Sequence, residues 1–398
     1  MDRSSRGQVD AFIVMDMVAA ARALEAQGRS IIHMEVGQPG TMAPAGARSA
    51  VAAALARDTM GYTVALGLLD LRRGIASLYQ RWYGLDLNPD RVIVTAGSSG
   101  AFVLAFSALF DAGARVGMGE PGYPSYRQIL KALSLVPVGI PTSVENRLQP
   151  TPQELQDIDI KGLIVASPGN PSGTMLSYDA MAALIAHADQ RGISFISDEI
   201  YHGLHYDTPA TSALQITDNA YVINSFSKYF SMTGWRIGWM VVPETHIRTV
   251  ERLAQNLFIC PPHIAQIAAI AALECVPELE SNRAVYTTNR ALMLSGLAQA
   301  GFTKCAPPDG AFYLYADVSD LTTDSFELAH NILHHAGVAV SPGLDFDPVR
   351  GHQTLRFSYA GATADIIEGL RRLTAFMAGR SATPQVYNPP LHWNNSHR

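Results

Sequence analysis

Lysine is nearly absent from this chain of 398 residues, which has four: Lys131, Lys161, Lys228 and Lys304. Charge in general is sparse, with 16% charged residues and a net charge of −6 at pH 7. The few basic residues are scattered, whereas a phosphate backbone demands clustered Lys and Arg, so no nucleic-acid-binding surface is expected. A disordered chain is excluded as well, because it would carry more charge and less than the 48% apolar content found here. Cysteine is also scarce. Cys260, Cys275 and Cys305 are odd in number and lack metal-ligand spacing, which predicts reduced thiols in a cytoplasmic protein. Long apolar runs are missing. Ala11–Met15 is cut by Asp16 and is too short for an export signal. Ile264–Val276 is short and carries Gln266 and Glu274, so it is not expected to cross a bilayer. No internal repeat or low-complexity stretch appears.

What is present is alternation. Between about Arg91 and Val242, short β-rich runs (Val92–Thr95, Arg115–Met118, Leu163–Ala166, Ser194–Ser197, Tyr221–Asn224, Gly238–Val242) alternate with helical stretches such as Ser125–Leu135 and Tyr178–Arg191. Several runs are almost wholly apolar, as strands buried on both faces of a helix-covered sheet should be. An α/β fold with a mostly parallel sheet follows. After Pro243 the pattern changes to helices over about Glu244–Leu257, Pro262–Val276 and Ser281–Ala300. Strand-like Phe312–Tyr315 and Thr354–Phe357 then alternate with helices Asp324–His335 and Thr363–Met377, which predicts a second, smaller α+β domain. The expected division is an N-terminal arm with part of the small domain over 1–40, a large domain over 41–284, a small domain over 285–380, and a tail over 381–398.

Three of the four lysines read as solvated surface residues. Lys228 differs, because it follows a buried-strand pattern and sits among hydroxyls, aromatics and an arginine, in Asn224-Ser-Phe-Ser-Lys228-Tyr-Phe-Ser-Met-Thr-Gly-Trp-Arg236. The carboxyl ends of strands are where α/β sheets hold ligands, and desolvation there would make the amine nucleophilic. Three other loops follow strands: Asp198-Glu-Ile-Tyr201, Ser167-Pro-Gly-Asn170-Pro-Ser-Gly-Thr174, and Thr95-Ala-Gly97-Ser98-Ser99-Gly100. The last opens a helix whose free N–H groups and hydroxyls would seat a phosphate. Together they place a lysine, an acid, a phenol, an amide and an anion seat on one sheet edge. Pyridoxal phosphate requires such a set: a lysine for its Schiff base, an acid for its ring nitrogen and a cradle for its phosphate.

The ordered motifs S-F-S-K-x-F-x-M-T-G-W-R-I-G-W, N-P-x-G-T and D-E-I-Y resemble those of the class I/II aminotransferases, pyridoxal-phosphate enzymes of fold type I, from about Ile31 to Met377. The resemblance implies a large domain with a mostly parallel seven-stranded sheet between helices. It also implies a ping-pong transfer of the α-amino group of an L-amino acid to a 2-oxo acid. A fold type I C–S β-lyase is the alternative, since it uses the same residues. Lys228 would hold the cofactor and shuttle the substrate proton, and Asp198 would keep the ring nitrogen protonated. Tyr201 and Asn170 would bond the ring's phenolic oxygen, and Tyr123 would stack on the ring. Ser98, Ser99, Ser225, Ser227 and Arg236 would surround the phosphate. Arg356 would clamp the substrate carboxylate, and Gly37 would meet the substrate through its backbone. Tyr62 would reach the phosphate of a neighbouring subunit, which makes the expected active unit a homodimer with shared sites.

Two departures from the family pattern stand out. Gly37-Gln38-Pro39 replaces the commoner Gly-Glu-Pro, and Pro342-Gly-Leu-Asp-Phe346-Asp347 carries Asp347 in place of a final glycine. Glycine at such a turn usually meets a positive φ, which Asp tolerates better than most residues, so a modest local change near Arg356 is expected. Gly117-Met-Gly-Glu-Pro-Gly122 mimics a dinucleotide fingerprint, but Pro121 interrupts the position where a helix should open. Glu327, His330 and His334 share one helix face, which is expected to be solvated and not a metal site. Apolar residues near Gly37 (Phe12, Ile13, Met15) point to neutral or aromatic substrates, and the family resemblance implies 2-oxoglutarate or pyruvate as acceptor. The Asn170–Pro171 bond, in a tight functional turn, is a candidate cis peptide.

Overall fold

The computed structural model describes residues 3–380. The tail expected over 381–398, with Tyr387 and Trp393, lies outside the described residues. The buried β runs assemble into a seven-stranded sheet in the order Val92–Thr95, Gly238–Val241, Tyr221–Ser225, Ser194–Asp198, Gly162–Ala166, Arg115–Glu120, Val136–Pro141. Gly238–Val241 alone runs antiparallel to its neighbours, pairing Gly238 with both Thr95 and Ser225. The other adjacent pairs are parallel.

Both faces of the sheet are covered, and alternate residues enter different cores, as the period-2 side-chain direction requires. Ile93, Ile164, Ile196, Ile223 and Met240 meet the helices Gly97–Leu109 and Ile247–Leu257 through Phe102, Phe106 and Val250. Val94, Leu163, Val165, Val222 and Trp239 join the larger core on the other side. Full burial of Phe102 and Phe106 contributes about 2–3 kcal/mol each, before the cost of ordering them.

The seventh strand, Val136–Pro141, matches none of the runs read from the sequence. It carries Pro137 and Pro141 and lies at the sheet edge, where a missing N–H breaks no ladder on the open side. A four-stranded antiparallel sheet forms from Ser341–Pro342, Thr354–Ser358, Tyr313–Asp317 and Lys304–Cys305, and Ile32–His33 pairs with Val338–Ala339 in a small parallel sheet.

One expectation is corrected here. The helix face with Glu327, His330 and His334 is not solvated throughout: His330 is buried, with its ring 4.7 Å from that of Phe326 and 5.8 Å from that of His334. The helix Ser325–Asn331 passes into a π turn over Ile332–Ala336. No helix among the described residues is long and apolar enough to cross a membrane.

Candidate active site

Topology gathers the motifs. Gly97-Ser98-Ser99, Tyr123, Asn170, Asp198 and Lys228 all follow the carboxyl ends of parallel strands or lie at them. Arg236 precedes Gly238–Val241, and because that strand alone is reversed, its amino end lies on the same edge. The result is a cleft of about 260 Å³ lined by Gly37, Ser98, Ser99, Tyr123, Asn170, Asp198, Tyr201, Ser227, Lys228, Arg236 and Arg356. Two of the expected site residues stand apart. Ser225 is buried behind the wall, donating to the Ile237 carbonyl at 3.0 Å and sharing a hydroxyl hydrogen bond of 2.8 Å with Ser227. Tyr62 is 84% exposed and does not reach this chain's own cleft.

The Lys228 amine donates to the Gly37 carbonyl at 2.6 Å and lies 5.7 Å from the Tyr201 ring centre and 5.9 Å from that of Phe312. Burial, reinforced by the charges of Arg356 and Arg236, lowers its pKa to about 8, against the opposing pull of Asp198. Asp198 is 4% exposed. Burial raises its pKa to about 6, while the Tyr126 hydroxyl, the Ile200 N–H and the Lys228 charge oppose the rise. Tyr126 donates directly to Asp198 Oδ2, and the Ile200 N–H donates to Oδ1 at 3.1 Å.

Tyr126 and Tyr313 are site residues that the sequence reading passed over. Tyr126 lies one helical turn beyond Tyr123, a spacing that brings two side chains to one face. Tyr313 shares a hydroxyl hydrogen bond of 2.7 Å with Tyr201 and lies against Arg356, whose guanidinium carbon is over its ring at 4.4 Å from the centre. A Cβ on Gly37 would overlap the Tyr313 hydroxyl, which explains the glycine there.

Arg356 lies in the strand Thr354–Ser358, 3% exposed and sandwiched between Tyr313 and Phe346, the latter at 4.7 Å. Its Nη1 donates to Asn170 Oδ1 at 2.8 Å, and its Nη2 donates to the Glu35 carbonyl and to Ser341 Oγ at 3.2 Å. Nε has no partner although it is buried. A buried guanidinium with an orphan donor, beside an open cleft, suits a carboxylate that would take both edges of its fork. The Asn170–Pro171 bond is cis, as expected, and Ser167–Pro168 and Glu120–Pro121 are cis as well.

At the opposite rim, Gly97 has φ of +72° and its missing Cβ leaves room for the Arg236 guanidinium. Any side chain there would displace Arg236 from the start of the Gly97–Leu109 helix, where N–H groups and hydroxyls of Ser98 and Ser99 are free for an anion. Asp347 corrects another expectation. It is not in the left-handed region. Its buried carboxylate instead caps the loop, accepting from the N–H groups of Val349 at 3.0 Å and Arg350 at 2.8 Å and from Arg350 Nε at 2.7 Å.

Comparison with known proteins agrees with this geometry. The model of the family "Aminotransferase class I and II" matches residues 29–373. The valine–pyruvate aminotransferase of Mycobacterium tuberculosis is 48% identical over 94% of this chain and 97% of its own. A solved structure from Silicibacter pomeroyi is 64% identical, covers 96% of this chain and 100% of its own, and superposes with a TM-score of 0.92. The aspartate aminotransferase of Thermus thermophilus solved with maleate is 30% identical, covers 94% and 100%, and has a TM-score of 0.89. The chain belongs to the class I and II aminotransferases. It is a transaminase acting between an amino acid and a 2-oxo acid, and its cofactor is pyridoxal phosphate. The cleft fits that group chemically: a weakly basic amine, a buried acid facing it, and an anion seat closed by a guanidinium.

Proposed function

We propose that the enzyme moves the amino group of a neutral amino acid with an apolar side chain to pyruvate or a similarly small 2-oxo acid, and that it works as a homodimer. The observation that carries the substrate class is the set of cations along the cleft: Lys228, Arg236 and Arg356. Each has a duty below, which leaves none of this chain's own cleft cations for a second substrate carboxylate. The name of the Mycobacterium tuberculosis relative supports the same class.

Pyridoxal phosphate, when bound, supplies an electron-accepting pyridine ring that stabilises negative charge at the substrate Cα. Asp198 would hold the proton on the ring nitrogen, since a buried carboxylate with no cation in hydrogen-bond contact gains the partner it lacks. Tyr201 and Asn170 would orient the ring through its phenolic oxygen, with Tyr123 against its face. Ser98, Ser99, Ser227 and Arg236 would hold the phosphate, and Ser225 would act one step behind by fixing the Ser227 hydroxyl. Lys228 would take the proton from the substrate Cα, and Arg356 and the Gly37 backbone would hold the substrate carboxylate end. Burial makes each of these contacts stronger than it would be in water.

With pyruvate as acceptor, valine and other apolar amino acids are expected to give kcat/KM values at least about tenfold above aspartate and glutamate, because a second carboxylate would enter unpaired. A preference for aspartate in that panel would overturn the substrate class. The exposure of Tyr62, with the neighbouring Val64 exposed as well, supports a shared site. Tyr62→Phe is then expected to weaken cofactor retention by roughly 10- to 100-fold, the worth of one hydrogen bond to a charged group. Equilibrium dialysis of the cofactor would read this, and unchanged retention would count against cross-subunit contact.

A further inference from the structure

Residues 10–15 span from the helix Pro124–Ala132 to the loop Pro342–Asp347, and they are pinned at both ends. Asp10 accepts from Lys131 Nζ at 2.7 Å and Gln128 Nε2 at 3.0 Å, and its N–H donates to Gln128 Oε1 at 3.0 Å. These contacts are exposed, and exposed ion pairs hold little. The other pin is buried. The Asp345 carboxylate, 6% exposed, accepts from the Ile13 N–H at 3.0 Å and the Val14 N–H at 2.7 Å. Both donors belong to the first turn of the helix Ile13–Ala26, whose own N-cap residue, Phe12, offers no capping side chain.

Between the pins, Phe12, Val14 and Met15 line the cleft. Phe12 meets Tyr123 edge-on at 6.3 Å, and Val14 is buried with Tyr315 and Phe346. Phe346 in turn packs on the Arg356 guanidinium. The loop that carries Asp345 therefore touches both the carboxylate clamp and the arm.

We infer that Asp345 determines which amino acids the enzyme accepts, by fixing Phe12, Val14 and Met15 as the apolar wall against the substrate side chain. This rests on the proposed reading of the cleft as the site for apolar amino acids. Arg356 takes the carboxylate and Lys228 stands at the amino-bearing carbon, so the side chain is the part of the substrate left to meet that wall. A fixed wall favours a branched side chain over a methyl group, because only the larger one fills it.

The test compares wild-type, Asp345→Ala, Asp345→Asn, Phe12→Ala and the Asp345→Ala/Phe12→Ala double variant as holoenzymes. Amide hydrogen exchange at Ile13 and Val14 is expected to quicken at least about tenfold in Asp345→Ala. The kcat/KM for valine should fall about tenfold while that for alanine stays within about threefold. Phe12→Ala should reproduce the change in the valine-to-alanine ratio, and the double variant should add little to it. Asp345→Asn, which keeps one acceptor, should fall between the extremes and covers the case in which Asp345→Ala does not fold. Unchanged exchange would overturn the pin, and faster exchange with an unchanged ratio would overturn the role in specificity. A wild-type enzyme inactive on both amino acids would overturn the substrate reading instead, and the exchange rates would still report the pin.

Discussion

Lys228→Ala is expected to remove the visible absorbance that pyridoxal phosphate gains on condensing with the protein, and to lower transamination by roughly 10³- to 10⁴-fold. The other three lysines cannot substitute. Lys131 and Lys304 are engaged at the surface with Asp10 and Asp320, and Lys161 is exposed ahead of its strand. Residual colour in the variant would be surface adduct and should be lost on gel filtration. The pH dependence of cofactor capture tests the same residue from another side. Only the neutral amine condenses, and with a pKa of about 8 it forms about a quarter of the population at pH 7.5, against about 0.1% for an ordinary lysine. The capture rate of cofactor-free protein should therefore rise about tenfold per unit up to pH 8 and then level off. A rate that climbs unbroken to pH 10 would mean that burial and the two arginines do not act on this amine.

Much of this was legible because burial on both faces writes itself into composition. Leu163–Ala166 and Tyr221–Asn224 need no context to read as inner strands, and the loops that follow them carry Asn170 and Lys228. Val136–Pro141 was not legible, since its edge position tolerates the prolines that disqualify it as a strand. Tyr126 and Tyr313 were missed for a different reason. A buried tyrosine reads as core in any sequence, and only side-chain direction separates one that meets Asp198 from one that fills space. Asp345 had no local signal at all, because its partners Ile13 and Val14 are more than three hundred residues away. Arg356 occupies an ordinary strand, and its duty was visible only through resemblance.

Arg356→Ala is expected to lower kcat/KM for every amino acid substrate by roughly 10²- to 10⁴-fold, the worth of two charge-assisted hydrogen bonds at about 1.5–3 kcal/mol each. Most of the loss should appear in KM, because the carboxylate is held before and during proton transfer alike. Arg356→Lys should recover little. An ammonium keeps the charge but not the fork, and it lacks the planar face that the guanidinium places between Tyr313 and Phe346. Both variants should still bind cofactor, since the phosphate seat lies at the other rim with Arg236, so retained colour distinguishes a lost clamp from a lost fold. A second consequence concerns Lys228. Arg356 is one of the charges that lowers its pKa, so Arg356→Ala should raise the pH at which cofactor capture levels off, whereas Arg356→Lys should leave it nearer to wild type. A kcat/KM within about threefold of wild type in Arg356→Ala would remove this residue from the substrate site. An unmoved capture profile would show that the Arg356 charge does not act on this amine.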